Sequence, residues 1–208
     1  MTRKAAALVL STCAAAGIAG GLILHGLARP AQTSAALKLP ELHGQAVWAP
    51  GRRPAPAFAL RDQTGRLLKP TSFRGRTVVL TFLDSHCTTR CPLVGRELAM
   101  IVERLPRADR PVLLVVSVNP NDTPRSARAA VSRWGIPSGW HWLMADRTRL
   151  AQVWRAYGIT VIPTTHDINH SLAVYLLDRH GNERTGYLFP FQPPFVEGDL
   201  RALARERL

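Results

Sequence analysis

Apolar residues dominate two short runs, Thr77-Val-Val-Leu-Thr-Phe-Leu83 and Pro111-Val-Leu-Leu-Val-Val-Ser-Val118, each bounded by turn-forming residues. Runs of this length without strict alternation predict strands buried on both faces. Phe58-Ala-Leu-Arg-Asp62 alternates instead, and Gln63-Thr-Gly65 supplies a turn before a short return strand, Arg66 to Lys69. Trp140-His-Trp-Leu143 reads as another short strand. Ser171–Asp178 and Glu183–Leu188 flank Arg179-His-Gly-Asn182 and read as a hairpin. Helical spacing of Leu93, Leu98, Ile101, Val102 and Leu105 follows Pro92, a good first helical residue that places Cys91 at the N-cap. Thr123 can cap a helix opened by Pro124. Arg147 to Tyr157 predicts a helix closed by Gly158, and Phe195 to Leu208 a final one with Leu200 and Leu203 inward. Strands alternating with helices predict an α/β fold, a central mixed sheet covered on both faces, with an N-terminal strand extension.

The beginning of the chain differs in kind. Met1-Thr-Arg-Lys4 is positive, and Ala5 to Leu24 carries no charge. Such a stretch is long enough to span a bilayer as a helix, so residues 1–28 are read as a membrane anchor, with a cleaved secretory signal as the alternative. Arg3 and Lys4 would hold the N-terminus in the cytoplasm. This places a single-pass protein in a bacterial inner membrane with its domain in the periplasm, or a periplasmic protein after cleavage. Residues 29–56, rich in Pro, Ala and Gly, read as a tether, and residues 57–208 as the folded domain.

The 208 residues carry a formal charge of +13, almost wholly from arginine. The arginines are scattered rather than clustered, which argues against a nucleic-acid partner. A basic surface of this kind favours anionic lipid or an acidic protein.

With Cys13 inside the apolar segment, Cys87 and Cys91 are the two cysteines left for the domain. One bridge across so small a loop would stabilise the domain modestly. A close pair in an exported protein points rather to redox or metal work. The pair stands where a buried strand gives way to a helix, and a helix N-terminus favours thiolate there. Arg90 and a protonated His86 are expected to lower the thiol pKa further. His170, in the loop entering the strand Leu172–Leu177, is expected at the same edge of the sheet, with His166 as its competitor. Two soft thiolates and an imidazole suit monovalent copper. The same thiols could instead form and break a disulfide. His25, His43, His141 and His180 read as ordinary surface or interfacial residues.

These motifs together resemble the SCO/SenC family of thioredoxin-like proteins, from about Pro54 to the C-terminus. Phe58-Ala-Leu-Arg-Asp-Gln-Thr-Gly65 is similar to the family's opening hairpin, and His86-Cys-Thr-Thr-Arg-Cys-Pro92 to its T-H-C-x-x-x-C-P loop. Ser117-Val-Asn-Pro120 with Asp122-Thr-Pro124 resembles its S-V-D-P…D-T-P segment. His170-Ser171, Ala173-Val-Tyr-Leu-Leu-Asp178 and Gly181 resemble its D-H-S…Y-L-D-x-x-G segment. The resemblance implies a thioredoxin-like fold and copper, Cu(I) and also Cu(II), held by Cys87, Cys91 and His170. It implies a metallochaperone that assists assembly of the dinuclear copper centre of cytochrome c oxidase. The partner would be the copper-bearing oxidase subunit or another copper protein. Departures are Asp84-Ser85 before the loop, Arg90 between the cysteines, and Asn119 and Asn169 where Asp is usual.

Three alternatives stand beside this one, the last being a non-enzymatic binding domain with a vestigial cysteine pair. In the first, the membrane-anchored domain is a thiol-disulfide oxidoreductase, with Cys87 and Cys91 as the redox pair acting on partner cysteines. In the second, Thr88-Thr-Arg-Cys-Pro92 matches the T-x-x-C-P core of peroxiredoxins. Cys87 and the later His-Ser segment do not belong to that pattern.

Overall fold

The computed structural model describes residues 41–165 and 167–206. The apolar N-terminal segment, tether residues 29–40, Cys13, His25 and His166 lie outside the described residues. Among the described residues, no helix is long and apolar enough to cross a membrane.

Among the described residues, ten strands and four α-helices follow one another. The strands are β1 (Ala46–Val47), β2 (Leu60–Arg61), β3 (Leu67–Leu68), β4 (Val78–Leu83), β5 (Val112–Ser117), β6 (Trp140–Leu143), β7 (Val161–Pro163), β8 (Ile168–His170), β9 (Ala173–Leu177) and β10 (Glu183–Leu188). The helices are α1 (Cys91–Arg104), α2 (Pro124–Trp134), α3 (Arg147–Ala156) and α4 (Pro193–Arg205). A six-stranded sheet runs in the order β1-β10-β9-β4-β5-β6. Strands β4, β5 and β6 are parallel, whereas β9, β10 and β1 add antiparallel neighbours.

The apolar runs of β4 and β5 lie at the centre because every residue in each is buried. Alternate side chains divide between two cores. Val79, Leu83, Leu113 and Val115 meet α1, α2 and α4 on one face. Val78, Leu80, Phe82 and Leu114 meet α3 and the β2–β3 hairpin on the other. Each fully buried Leu or Ile on these faces stabilises the fold by about 1.5–3 kcal/mol. Helix α1 lies close against α2 at Gly95, where an added Cβ would stand 2.7 Å from Trp134.

The predicted strands and helices recur with small changes at their ends. Thr123 caps α2 by accepting from the Ser126 N–H. Leu93, spaced with the inward residues of α1, instead points outward at 48% exposure. The hairpin β7–β8 has no apolar periodicity to announce it; short antiparallel pairing of Val161 with His170 defines it.

Residues 41–56, whose composition suggested the end of a tether, are held against the domain. Leu42 enters the core, β1 pairs with β10, and the Arg53 guanidinium lies 4.3 Å over the Trp48 ring. Gly44 passes so near β10 that a Cβ would fall 1.9 Å from Thr185 Oγ1. Edge pairing and a few anchors secure this segment, and neither leaves a repeating pattern of apolar positions.

Candidate metal and thiol site

The parallel strands end together, and their connecting loops gather at one edge of the sheet. There β4 runs into Asp84-Ser-His-Cys-Thr-Thr-Arg90, and α1 begins at Cys91. The loop folds back on Asp84. Its carbonyl accepts from the Cys87 N–H at 3.2 Å, and its carboxylate accepts from the His86 N–H at 2.9 Å. Arg90 occupies the N-cap in αR geometry without a side-chain cap, so Cys91 lies one residue further into the helix than expected. Packing of its buried side chain overrides the preference that Pro92 imposes on the residue before it.

Cys87 and Cys91 are both free thiols, the first half-buried and the second buried. Their environments push them in opposite directions. Cys87 receives a hydrogen bond from the Cys91 thiol, then others from the Thr89 hydroxyl and the Cys91 and Thr89 amides. These outweigh burial and bring its pKa down to about 5. Donating that bond, together with burial, holds Cys91 far above the ordinary thiol range. Cys87 is therefore the thiolate of the pair, seated at the N-terminus of α1 where donors and dipole favour negative charge. Hydrogen bonds from Cys91 and Thr89, rather than the Arg90 and His86 charges expected from the sequence, lead this shift. His86 is exposed and turns its Nε2 toward Asp122, 3.8 Å away.

His170 closes strand β8, and its Nε2 lies 3.4 Å from Cys91 Sγ. Its Nδ1 is 3.0 Å from the Ser171 carbonyl, which can only accept, so Nδ1 carries the proton. The Nε2 lone pair therefore faces the sulfur. Burial holds the imidazole pKa below its usual value, which keeps the ring neutral near pH 7. Cys87, Cys91 and His170 line one cavity of about 270 Å³, with Thr89, Arg90 and Leu172 among its walls. Among the described residues, no three His, Cys, Asp or Glu side chains form a closed metal-binding group. The donor set nonetheless fits copper chemically: a thiolate, a thiol in contact with it, and a neutral imidazole nitrogen aimed at the second sulfur.

Two acids beneath the loop were not singled out as site residues from the sequence. Asp84 accepts from Asn119 Nδ2 at 3.0 Å. Asp122, in the loop between β5 and α2, accepts from the Ser85 and Ser117 hydroxyls at 2.5 Å each and from the Trp142 indole at 3.0 Å. Burial pushes the Asp122 carboxyl up. The sequence signals were an acid directly after a buried strand, and the Asp of Asp122-Thr-Pro124. Among the remaining histidines, His43 bonds buried Asp199 at 2.8 Å and His141 bonds buried Asp62 at 2.9 Å. Both lie outside the thiol cavity.

A family model described as SCO1/SenC matches residues 49–204. The mitochondrial SCO2 homolog of Bos taurus is 31% identical over 137 residues, 60% of this chain and 50% of that protein. The thiol-disulfide oxidoreductase ResA of Geobacillus thermodenitrificans is 28% identical over 127 residues, 61% of this chain and 63% of that protein. The chain thus spans between half and two thirds of the length of these relatives. The copper-bound structure of Bradyrhizobium japonicum ScoI superposes with a TM-score of 0.63 at 24% identity, over 72% of this chain and 98% of that one. The fold is thioredoxin-like, a central mixed sheet between two helical layers. With the family's model covering the cysteine loop, the β5–α2 loop and the His170 hairpin in one stretch, the chain belongs to the SCO1/SenC family.

Proposed function

We propose that this protein is a copper metallochaperone that binds copper through Cys87, Cys91 and His170. The observation that carries the reading is the 3.4 Å contact between His170 Nε2 and Cys91 Sγ, with the Nδ1 proton committed to Ser171. It joins an imidazole lone pair to a thiol pair contributed 79 residues earlier. Soft donors of this kind hold Cu(I), and the thiols must be reduced and deprotonated to do so. Release follows by ligand exchange with a partner's cysteines. The acceptor we infer is the copper-bearing subunit of cytochrome c oxidase. The setting is the periplasmic side of a bacterial inner membrane, where the apolar N-terminal segment anchors the chain.

Anaerobic titration of the reduced full-length protein with Cu(I), against a chromophoric competitor, tests the reading. One equivalent should bind, and Cys87→Ser, Cys91→Ser and His170→Ala should each weaken binding. Retention of full affinity by His170→Ala would remove the third ligand and this reading with it.

A second reading, thiol-disulfide exchange, is favoured by the inequality of the two cysteines. Cys87, ionised above pH about 5, attacks a partner disulfide, and the departing partner sulfur takes up a proton. Cys91 then loses its proton and attacks Cys87 in the mixed disulfide, releasing the second partner thiol. The partner is reduced to a dithiol and the protein oxidised to the Cys87–Cys91 disulfide. Cys91→Ser should trap the mixed disulfide.

A further inference from the structure

Residue 84 touches the cysteine loop through its main chain: its carbonyl accepts from the Cys87 N–H at 3.2 Å. Its side chain, 4% exposed, reaches in the other direction, across to the loop that follows β5. Both donors to Asp84 Oδ1 are neutral: the His86 N–H at 2.9 Å and Asn119 Nδ2 at 3.0 Å.

The orientation of the Asn119 amide is not free. Its Oδ1 accepts from the Asn121 N–H at 2.9 Å, and a main-chain N–H can only donate. The NH₂ end must therefore face Asp84. An aspartate at 119 would keep the bond to Asn121 and turn its second oxygen onto Asp84 Oδ1. Two carboxylates at that separation cannot both ionise. The sequence carries Asp at 84 and Asn at 119, and the contact explains why the two occur together.

We propose that Asp84 and Asn119 form a positioning pair that fixes the cysteine loop, and that residue 119 must be a hydrogen-bond donor whenever residue 84 is an acid. The pair ties the β4–α1 loop to the β5–α2 loop directly beneath Cys87. By holding that loop it holds the Cys87 sulfur near Cys91, and so sets the effective concentration of one thiol at the other. This goes beyond copper binding and does not depend on it, because the disulfide equilibrium needs no metal.

A double-mutant cycle on the full-length protein tests the pairing. The reduced and oxidised fractions are measured in dithiothreitol redox buffers, by alkylation and mass spectrometry, alongside the unfolding temperature. Asn119→Asp in the native background should lower the equilibrium constant for the Cys87–Cys91 disulfide by about tenfold, a rise of about 30 mV in midpoint potential. The same substitution made together with Asp84→Ala should change it by less than about twofold, since no carboxylate then faces residue 119. Equal shifts in both backgrounds would overturn the pairing. A lower unfolding temperature with an unmoved potential would also overturn it, because the pair would then serve only the fold. Should Asn119→Asp not yield folded protein, Asn119→Ala is measured with and without Asp84→Ala. A shift of about threefold that vanishes in the Asp84→Ala background supports the pairing, and one that persists refutes it.

Discussion

The two ends of the sheet bury acids in opposite ways. At the end away from the thiols, the acids face arginines. Glu183, fully buried, meets Arg53 at 2.5 Å. Arg184, 2% exposed at its side chain, lies between Glu206 and Asp178. At the thiol end, Asp84 and Asp122 are bonded by neutral groups: main-chain amides, the Asn119 amide, the Ser85 and Ser117 hydroxyls and the Trp142 indole. A buried charge needs partners in either case. An arginine cancels the field of the acid, whereas a neutral donor satisfies its lone pairs and leaves the field in place. At the far end the acids stabilise the fold. Beside the thiols they shape the cysteine loop through neutral donors.

Breaking the far end should have the largest effect on stability. Arg184→Met leaves Asp178 and Glu206 facing a buried apolar chain, and removing one member of a buried ion pair costs about 3–5 kcal/mol. Urea unfolding should report that loss, while the Cys87–Cys91 midpoint potential of the folded protein stays where it was. A moved potential would mean that the two ends are not independent.

Asp122→Ala should destabilise less, by about 1–3 kcal/mol, because it strands hydroxyl and indole donors rather than an ion. Here the potential should shift as well as the unfolding midpoint, since Ser85 belongs to the cysteine loop. Unaltered thiol chemistry would confine Asp122 to the fold and weaken the contrast between the ends.

The smallest expected effect is a pH slope. In the folded reduced protein Cys87 ionises at about 5, against the ordinary thiol value of 9.0. Between those values the unfolded chain binds the extra proton, so stability rises with pH through that window and is lost as pH falls toward 5. Above 9.0 the gain levels off. Cys91, held protonated by its bond to Cys87 and by burial, then acts in the opposite sense. Solvent screening of the half-exposed thiolate makes the slope shallower than that of a full proton. Cys87→Ser should flatten urea midpoints measured across this range. A slope unchanged by the substitution would assign it to another group.

Much of this arrangement was legible in the chain. The buried runs of β4 and β5 announced central strands because no solvent-facing residue interrupts them. Thr123 and Pro124 marked the start of α2 through local hydrogen bonding and a preset φ. Cys87 and Cys91 stood out because thiols at the junction of strand and helix carry chemistry wherever the rest of the chain goes. His170 was harder to place. Its strand β8 is short and polar, and its competitor His166 stands in the same segment. Residues 41–56 misled because proline and alanine mark extended chain equally well when it is free and when it is laid along a sheet edge.

The sequence by itself determined the order of the central strands and the helices, the positions of the thiols and the family. Those depend on spacing between neighbours and on the intrinsic chemistry of each side chain. Tertiary structure alone decided which thiol is the anion, which imidazole nitrogen faces the sulfur, and that Asp84 meets Asn119. Each of these is a pairing of donor with acceptor, and folding rather than spacing selects the partner from 35 or 79 residues away.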